Sequence, residues 1–256
     1  MAHKYRTRVA GEDLLRKIKE LEFQRVLDLL VLLYFLALAV LSWLLTFGIV
    51  AFNWMTSVVF TAISVVIAVR WMKKWRAIND EIKNKRKGLE GERLAAEMLD
   101  RLGNGEDTFV FHDILGNGFN VDHVVVSTKG IFTIETKHYD RSKCHEYYFD
   151  GERLYAQMHD GRQYPCPRLL PQMDGEANFI QGEIERRIGA KVGVTEVAIL
   201  IGSYIRNPSK SLNKYWLVNE KSFEPLFRVQ REVLDAALVK LIAAQITEWV
   251  KIDIDE

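Results

Sequence analysis

The stretch that decides the fold is FNVDHVVVSTKGIFTIETK, residues 119–137. Two runs rich in β-branched and aromatic residues flank the pair Thr128-Lys129, which is the pattern of a β-hairpin with a two-residue turn. In that register the residue numbers of cross-strand partners add up to 257. Because most of the neighbouring side chains are apolar, we expect the hairpin to be largely buried.

Four polar residues of this hairpin are predicted to lie together. The register places Asp122 opposite Glu135 and Asn120 opposite Lys137. Side chains alternate between the two faces of a sheet, so all four share one face. His123 then points to the opposite face, where we interpret it as a core residue.

The opposed carboxylates of Asp122 and Glu135 indicate a metal site. Two like charges at this spacing repel each other, and burial makes the pair costly unless a proton or a cation lies between them. Mg²⁺ binds one or two protein carboxylates and completes its shell with water and substrate phosphate. With Lys137 on the same face, the set suits metal-assisted phosphodiester hydrolysis. The spacing alone also allows an ion pair between Asp122 and Lys137, with Glu135 exposed at a sheet edge.

The hairpin lies within a chain segment that predicts a mixed α/β domain. The glycines at positions 88 and 91 are expected to end a charged helical linker before the domain begins. The predicted helices span residues 91–102, 172–188 and 230–250, and the predicted strands span residues 108–115, 119–127, 130–138, 146–149, 153–158, 194–203 and 214–218.

Three strings together resemble the nuclease-related (NERD) domain: GLEGE at 88–92, the hairpin at 119–137, and PQ at 171–172. That family is similar in fold to PD-(D/E)xK endonucleases. The resemblance implies a restriction-endonuclease-like α/β domain, with a mixed sheet flanked by helices. Such domains commonly accompany transmembrane segments.

The resemblance also implies roles for individual residues. Asp122 and Glu135 correspond to metal ligands and Lys137 to the catalytic lysine. Glu92 matches an acid that approaches the metal through water, and Gln172 resembles a glutamine that faces the site, with Gln181 as the spare candidate. The implied activity is a Mg²⁺-dependent endonuclease, with Mn²⁺ as a substitute, that acts on nucleic acid, DNA more than RNA.

The first third of the chain has a different composition. From residue 29 to residue 69 there is no Asp, Glu, Lys, Arg or His, a run of 41 residues. This length fits two membrane-spanning helices with a turn near 47–53, since one span needs about 20 residues.

The charged residues on both sides of this run indicate its orientation. Residues 1–25 carry 7 Lys and Arg against 4 Asp and Glu, and residues 70–87 carry 8 Lys and Arg against 2 Asp and Glu. The positive-inside rule then places both termini in the cytosol, in a bacterium at the inner membrane. A single long tilted span, a buried helical hairpin and a cleaved signal peptide are the alternatives.

The predicted organisation has four parts. They are a cytosolic amphipathic segment (1–28), a transmembrane helical hairpin (29–71), a basic helical linker (72–87) and a NERD-like nuclease domain (88–256).

Charge and cysteine content limit the other functions. Residues 88–256 carry a formal charge of −7 although the whole chain has +1, which opposes simple electrostatic capture of DNA. A membrane-anchored binding or assembly module, in a homo-oligomer or a larger membrane complex, is therefore the alternative function. The chain has two cysteines, and their spacing from the nearby histidines does not match a structural zinc site.

Overall fold

The computed structural model of the chain describes residues 5–48, 54–103, 107–138, 144–206 and 214–253. It divides the chain into two compact units. One is residues 14–86, and the other joins residues 1–13 to residues 87–256.

The elements in chain order are β1 (Tyr5–Arg6), α1 (Glu12–Phe47), α2 (Trp54–Leu102), β2 (Thr108–Leu115), β3 (Asn120–Ser127), β4 (Gly130–His138), β5 (Cys144–Phe149), β6 (Leu154–Met158), β7 (Gln163–Pro165), α3 (Leu169–Ile188), β8 (Val194–Ile201), β9 (Ile205–Arg206), β10 (Tyr215–Val218), α4 (Phe223–Arg228), α5 (Ala236–Val250) and β11 (Ile252–Asp253).

The first unit consists of α1 and the first part of α2. Both helices are long and apolar enough to cross a membrane. Only 17% and 11% of the residues in their apolar stretches are buried, whereas a core helix of a soluble protein would be mostly covered. The turn predicted near 47–53 lies for the most part outside the described residues, since 49–53 are not described.

Polar contacts join the two helices of this unit along their length. Trp43 Nε1 donates to Thr61 Oγ1 at 2.9 Å, and Ser64 Oγ donates to the backbone carbonyl of Phe35 at 2.9 Å. Near the charged end, Lys74 Nζ lies 2.6 Å from Asp28 Oδ2. The helices are therefore antiparallel neighbours, and the Trp43 indole and the Thr61 and Ser64 hydroxyl groups are hydrogen-bonded within the pair, which suits a low-dielectric environment.

The second unit is built on a five-stranded sheet with the order β10-β8-β4-β3-β2. β2, β3 and β4 are antiparallel neighbours, while β8 and β10 run parallel to β4. The hairpin register is the predicted one, since His123 pairs with Ile134 and Ser127 with Gly130. A second sheet has the order β7-β6-β5-β9. β1 and β11 form a separate two-stranded antiparallel sheet. The predicted mixed α/β domain flanked by helices is confirmed, with two larger sheets rather than one.

Helices cover both faces of the main sheet. On one face, the end of α2 and α4 pack on residues such as Val125, Phe132 and Val197. On the other face, α3 and α5 pack on residues such as Val124 and Ile131, and α3 also joins the second sheet over Ala198 and Leu200. Asp122 and Glu135 belong to the α3 face, because they share the alternation of Val124 and Ile131.

Three helix boundaries differ from the sequence prediction, and one of them is the start of α3, at Leu169 instead of 172. The glycines at 88 and 91 do not interrupt α2, which continues to Leu102. A side chain at Gly91 would meet His138 Cβ at 2.7 Å, so this glycine serves a close approach of helix and strand. The last helix begins at Ala236 instead of 230, because the backbone N–H groups of Val233 and Leu234 donate to the Thr128 carbonyl at 2.7 and 2.9 Å. α4 was not predicted.

Candidate active site

The β3–β4 ladder ends one residue pair before the position where Asp122 and Glu135 would face each other. The last backbone pair is His123 with Ile134. Beyond it, the Thr136 backbone N–H donates to Asp122 Oδ2 at 2.8 Å. A side-chain carboxylate thus takes the place of a backbone carbonyl. The prediction that the two acids are direct ladder partners is wrong in this detail.

The side chain of Asn120 also differs from its predicted position opposite Lys137. Asn120 pairs with Leu115 on β2, and its Nδ2 donates to Asp113 Oδ1 at 2.8 Å. The cause lies in β2, where Asp113 has a φ of 51° and interrupts the ladder. The Asn120 side chain is therefore hydrogen-bonded to β2, the edge strand, instead of facing Lys137.

Glu135 is the most enclosed acid of the hairpin. Its exposed fraction is 2%, and its Oε1 accepts a hydrogen bond from Lys137 Nζ. Its Oε2 is buried and has no hydrogen-bond partner among the described residues. The alternative with Glu135 exposed at an edge and Lys137 paired with Asp122 is therefore wrong. Lys137 itself retains 31% exposure, so its ammonium group can reach solvent.

Helix α3 supplies two further polar groups. Lys137 Nζ lies 3.4 Å from Gln172 Oε1, and Gln172 Nε2 donates to Glu176 Oε1 at 2.8 Å. The structure thus brings Gln172 to the predicted lysine. The spare candidate Gln181 bonds Glu185 instead, two turns further along the helix.

Glu176 was not predicted from the sequence. It is 2% exposed, and its Oε2 has no hydrogen-bond partner among the described residues. The available signal was its spacing: it follows Gln172 by four positions and lies on the apolar helix face that also contains Met173 and Ile180. An acid at such a position is unfavourable for the core, because burial of a carboxylate without a full set of partners is costly.

The four acids disturb one another electrostatically. Burial first, and then the charges of Glu135 and Glu92, raise the pKa of Asp122 well above its ordinary value. Burial and Glu135 raise the pKa of Glu176 to about 9. Burial, Asp113 and Glu135 raise the pKa of Glu92 to about 7. The acids predicted for the site therefore lie within electrostatic reach of one another.

The oxygen atoms available here suit a hard divalent cation. The buried Oε2 atoms of Glu135 and Glu176 lack donors, and a cation would offset the repulsion among the acids. Among the described residues, no group of three or more His, Cys, Asp or Glu side chains stands ready to hold a metal ion. Two carboxylates with water and substrate oxygens would complete such a shell for Mg²⁺.

A segment from the N-terminus of the chain borders the site. The carboxylate of Asp113 accepts from Arg8 Nε at 2.9 Å and from the Asp13 backbone N–H at 3.0 Å. Gly11, with a φ of +73°, lies where an added Cβ would be 2.2 Å from Leu89 Cδ1 and 3.4 Å from Glu92 Oε2. No sequence pattern indicated that residues 8–13 reach this position.

The remaining candidates take no part in the acid cluster. His123 is fully buried, its Nδ1 lies 2.8 Å from Nδ1 of His112, and burial lowers its pKa well below the ordinary value. This confirms the core interpretation. Cys144 and Cys166 are free thiols, and they form no metal-binding group with the described histidines.

Comparison with known proteins identifies one domain of the chain. The model of the nuclease-related domain matches residues 87–201, a range that contains Glu92, Asp122, Glu135, Lys137 and Gln172. No curated protein and no solved structure matches the chain. Residues 87–201 of this chain are therefore a nuclease-related domain of the NERD family.

Proposed function

We propose that this protein is a membrane-tethered, Mg²⁺-dependent endonuclease that hydrolyses phosphodiester bonds, with DNA as its substrate. The observation that carries the proposal is the acid cluster of Asp122, Glu135, Glu92 and Glu176 beside Lys137 within a nuclease-related domain. Asp122 and Glu135 are the proposed metal ligands. When bound, the cation supplies Lewis acidity and neutralises charge on the substrate phosphate.

The chain's own residues hold the reacting groups in place. The Thr136 N–H fixes Asp122 Oδ2, and Glu135 Oε1 holds the Lys137 ammonium group. Gln172 contacts Lys137 from α3 and limits its rotation. The partly exposed Lys137 can then orient a water molecule or stabilise the phosphate oxygen on which negative charge develops.

An assay of the full chain in detergent tests the proposal. Wild type is expected to cleave labelled DNA with Mg²⁺ or Mn²⁺, and Lys137→Ala to lower the rate by a factor on the order of 10²–10⁴. Lys137→Arg should not restore it, because a guanidinium is bulkier and does not act as a base near neutral pH. Lys240→Ala on α5 is the control for loss of one lysine. Equal rates for wild type and Lys137→Ala would refute the assignment.

A non-catalytic binding or assembly module is the second candidate. The formal charge of −7 on residues 88–256 favours it, because an acidic domain attracts nucleic acid poorly. In that case neither DNA nor RNA is cleaved, while Asp122 and Glu135 still bind a divalent cation. If the wild-type protein cleaves DNA or RNA, the protein is a nuclease. If it cleaves neither but still binds the cation, the binding module is favoured.

The proposed tether is the antiparallel pair of α1 and α2, with both termini in the cytosol of a bacterium at the inner membrane. The basic residues on both sides of the uncharged run, seven in 1–25 and eight in 70–87, support this orientation. Reporter fusions at residue 3 and residue 256 should both read cytosolic. An extracytoplasmic signal from the C-terminal fusion would contradict the two-span topology.

A further inference from the structure

We propose that a cavity at the carboxyl ends of β8 and β10, here called the β8–β10 cavity, is a subsite for a nucleotide that flanks the scissile phosphate. The inference rests on the proposed nuclease function. The cavity has a volume of about 410 Å³, within the roughly 300–1,000 Å³ of ligand sites. Its lining includes Tyr204, Lys221, His145 and His159.

The cavity continues the face of the sheet that carries the acid cluster. Glu135 pairs with Ala198 and Lys137 with Leu200 along the parallel strands β4 and β8. Gly202, which lines the cavity, directly follows the last residue of β8 and lies two positions after Leu200. At about 3.3 Å per residue and 4.8 Å per strand, Lys137 and Gly202 are roughly 8 Å apart along the backbone. Neighbouring nucleotides of one strand span a distance of this order.

The position agrees with a general property of sheets that contain parallel strands. Ligands bind in the crevice outside the carboxyl ends of such strands, where loops of different strands meet. In this protein the loops after β8 and β10 form one wall, and the ends of the second sheet form the other. The proposed catalytic groups and the β8–β10 cavity thus occupy one continuous edge.

The walls of the cavity are held by hydrogen bonds before any ligand arrives. Asn219 Nδ2 donates to the Ser203 carbonyl at 3.2 Å, and its Oδ1 accepts from the Lys221 backbone N–H at 3.1 Å. The Gly202 N–H donates to Glu220 Oε2 at 2.9 Å. The carboxylate of Glu220 is therefore bound to the backbone of the wall.

Tyr204 provides a surface for a base. Its side chain is 63% exposed, while the adjacent Ile205 is 6% exposed. The Tyr204 carbonyl accepts from the Tyr147 N–H at 2.8 Å, which fixes the backbone to β5. An exposed aromatic ring on a rigid backbone stacks with any base and discriminates little among sequences.

Three other side chains supply donors for a phosphate. The ring centroids of His145 and His159 lie 5.4 Å apart at one end of the β5–β6 pair, and both histidines are exposed. Lys221 lines the opposite wall. An aromatic platform with cationic or N–H donors beside it is the arrangement by which proteins hold single-stranded nucleic acid. The chemical class of the ligand is therefore a nucleotide within a strand.

Binding of single-stranded DNA to the full chain in detergent tests the subsite without catalysis. All variants carry Lys137→Ala and bind a fluorescein-labelled oligonucleotide with Mg²⁺ present, followed by anisotropy. Tyr204→Ala should raise Kd about 5- to 150-fold, and Tyr204→Phe should restore binding. Lys221→Ala should lower the slope of log K against log salt by about 0.7. Tyr164→Ala, at a tyrosine 43% exposed outside the cavity, is the matched control.

The outcomes separate this inference from the proposed function. If Tyr204→Ala and Lys221→Ala bind as the Tyr164→Ala control does, while the chain with Lys137 intact cleaves DNA, the subsite is wrong and the nuclease assignment stands. If the chain neither binds nor cleaves DNA or RNA, both are wrong. Weaker binding confined to the two cavity variants supports the subsite.

Discussion

Replacing Glu176 with glutamine is expected to stabilise the metal-free protein by an amount that grows with pH. The folded protein raises the pKa of Glu176 from 4.5 to about 9, so it binds this proton more tightly than the unfolded chain does. The stability that comes from this proton is complete below pH 4.5 and is lost as pH rises toward 9. Glutamine has nearly the shape of glutamate and stays neutral, so Glu176→Gln does not lose this stability as the pH rises.

The size of this stabilisation follows from the shift in the pKa of Glu176. Between the unfolded and folded pKa values, each pH unit lowers the free energy of unfolding by about 1.4 kcal/mol. From pH 5 to pH 8 the difference between Glu176→Gln and wild type should grow by up to about 4 kcal/mol. The contact from Gln172 Nε2, 2.8 Å from Oε1 in wild type, can be retained, since glutamine also offers an oxygen.

The two cysteines of the chain allow this domain to be observed alone. Cys144 and Cys166 are free and partly buried, and both lie in the nuclease-related domain. Their labelling by a thiol reagent in increasing urea, with a chelator present, reports its unfolding in the full chain. Glu232→Gln controls for loss of one surface carboxylate. A difference between Glu176→Gln and wild type that is equal at pH 5 and pH 8 would refute the reasoning.

Three further substitutions examine other contacts of the site. Asp122→Asn should abolish divalent-metal binding in calorimetry. The chelator-treated variant should be no less stable than wild type, because one of the mutually repelling carboxylates is removed. Marked destabilisation would contradict this. Gln172→Ala should lower kcat more than metal affinity, since it contacts Lys137 at 3.4 Å; equal losses in both would argue against a positioning role. Arg8→Ala should lower the free energy of unfolding by about 1–3 kcal/mol in the thiol assay, because it withdraws a donor from the buried Asp113; an unchanged urea midpoint would contradict it.

The hairpin and its register could be predicted because they depend on local signals. Alternating apolar residues define the strands, and a two-residue turn sets the pairing of Ser127 with Gly130. The end of the ladder could not be predicted in the same way. There, the Thr136 N–H donates to the Asp122 side chain instead of to a backbone carbonyl. The alternation of apolar and polar residues does not indicate where a side chain replaces a backbone acceptor.

Glu176 and the two glycines of α2 show a second limit. A single acid on an amphipathic helix is normally placed in solvent, and only the packing of α3 against β4 turns Glu176 inward. A glycine within a helical pattern normally indicates a boundary. Gly91 instead allows the strand to approach at His138. Both cases depend on a partner distant in sequence.

The N-terminal segment is the clearest case of long-range dependence. Residues 8–13 precede the matched range 87–201 by more than seventy positions, yet Arg8 and the Asp13 N–H both bind Asp113. Asp113 has positive φ and also receives Asn120, so one carboxylate joins the N-terminal segment to β2 and β3. Asn120 lies two positions before Asp122 on β3, so the hydrogen bonds of Asp113 support the strand that carries this acid. Those residues lead directly into α1, the first of the two helices proposed to span the membrane. The start of this helix and the support of the proposed active site are therefore parts of the same short segment.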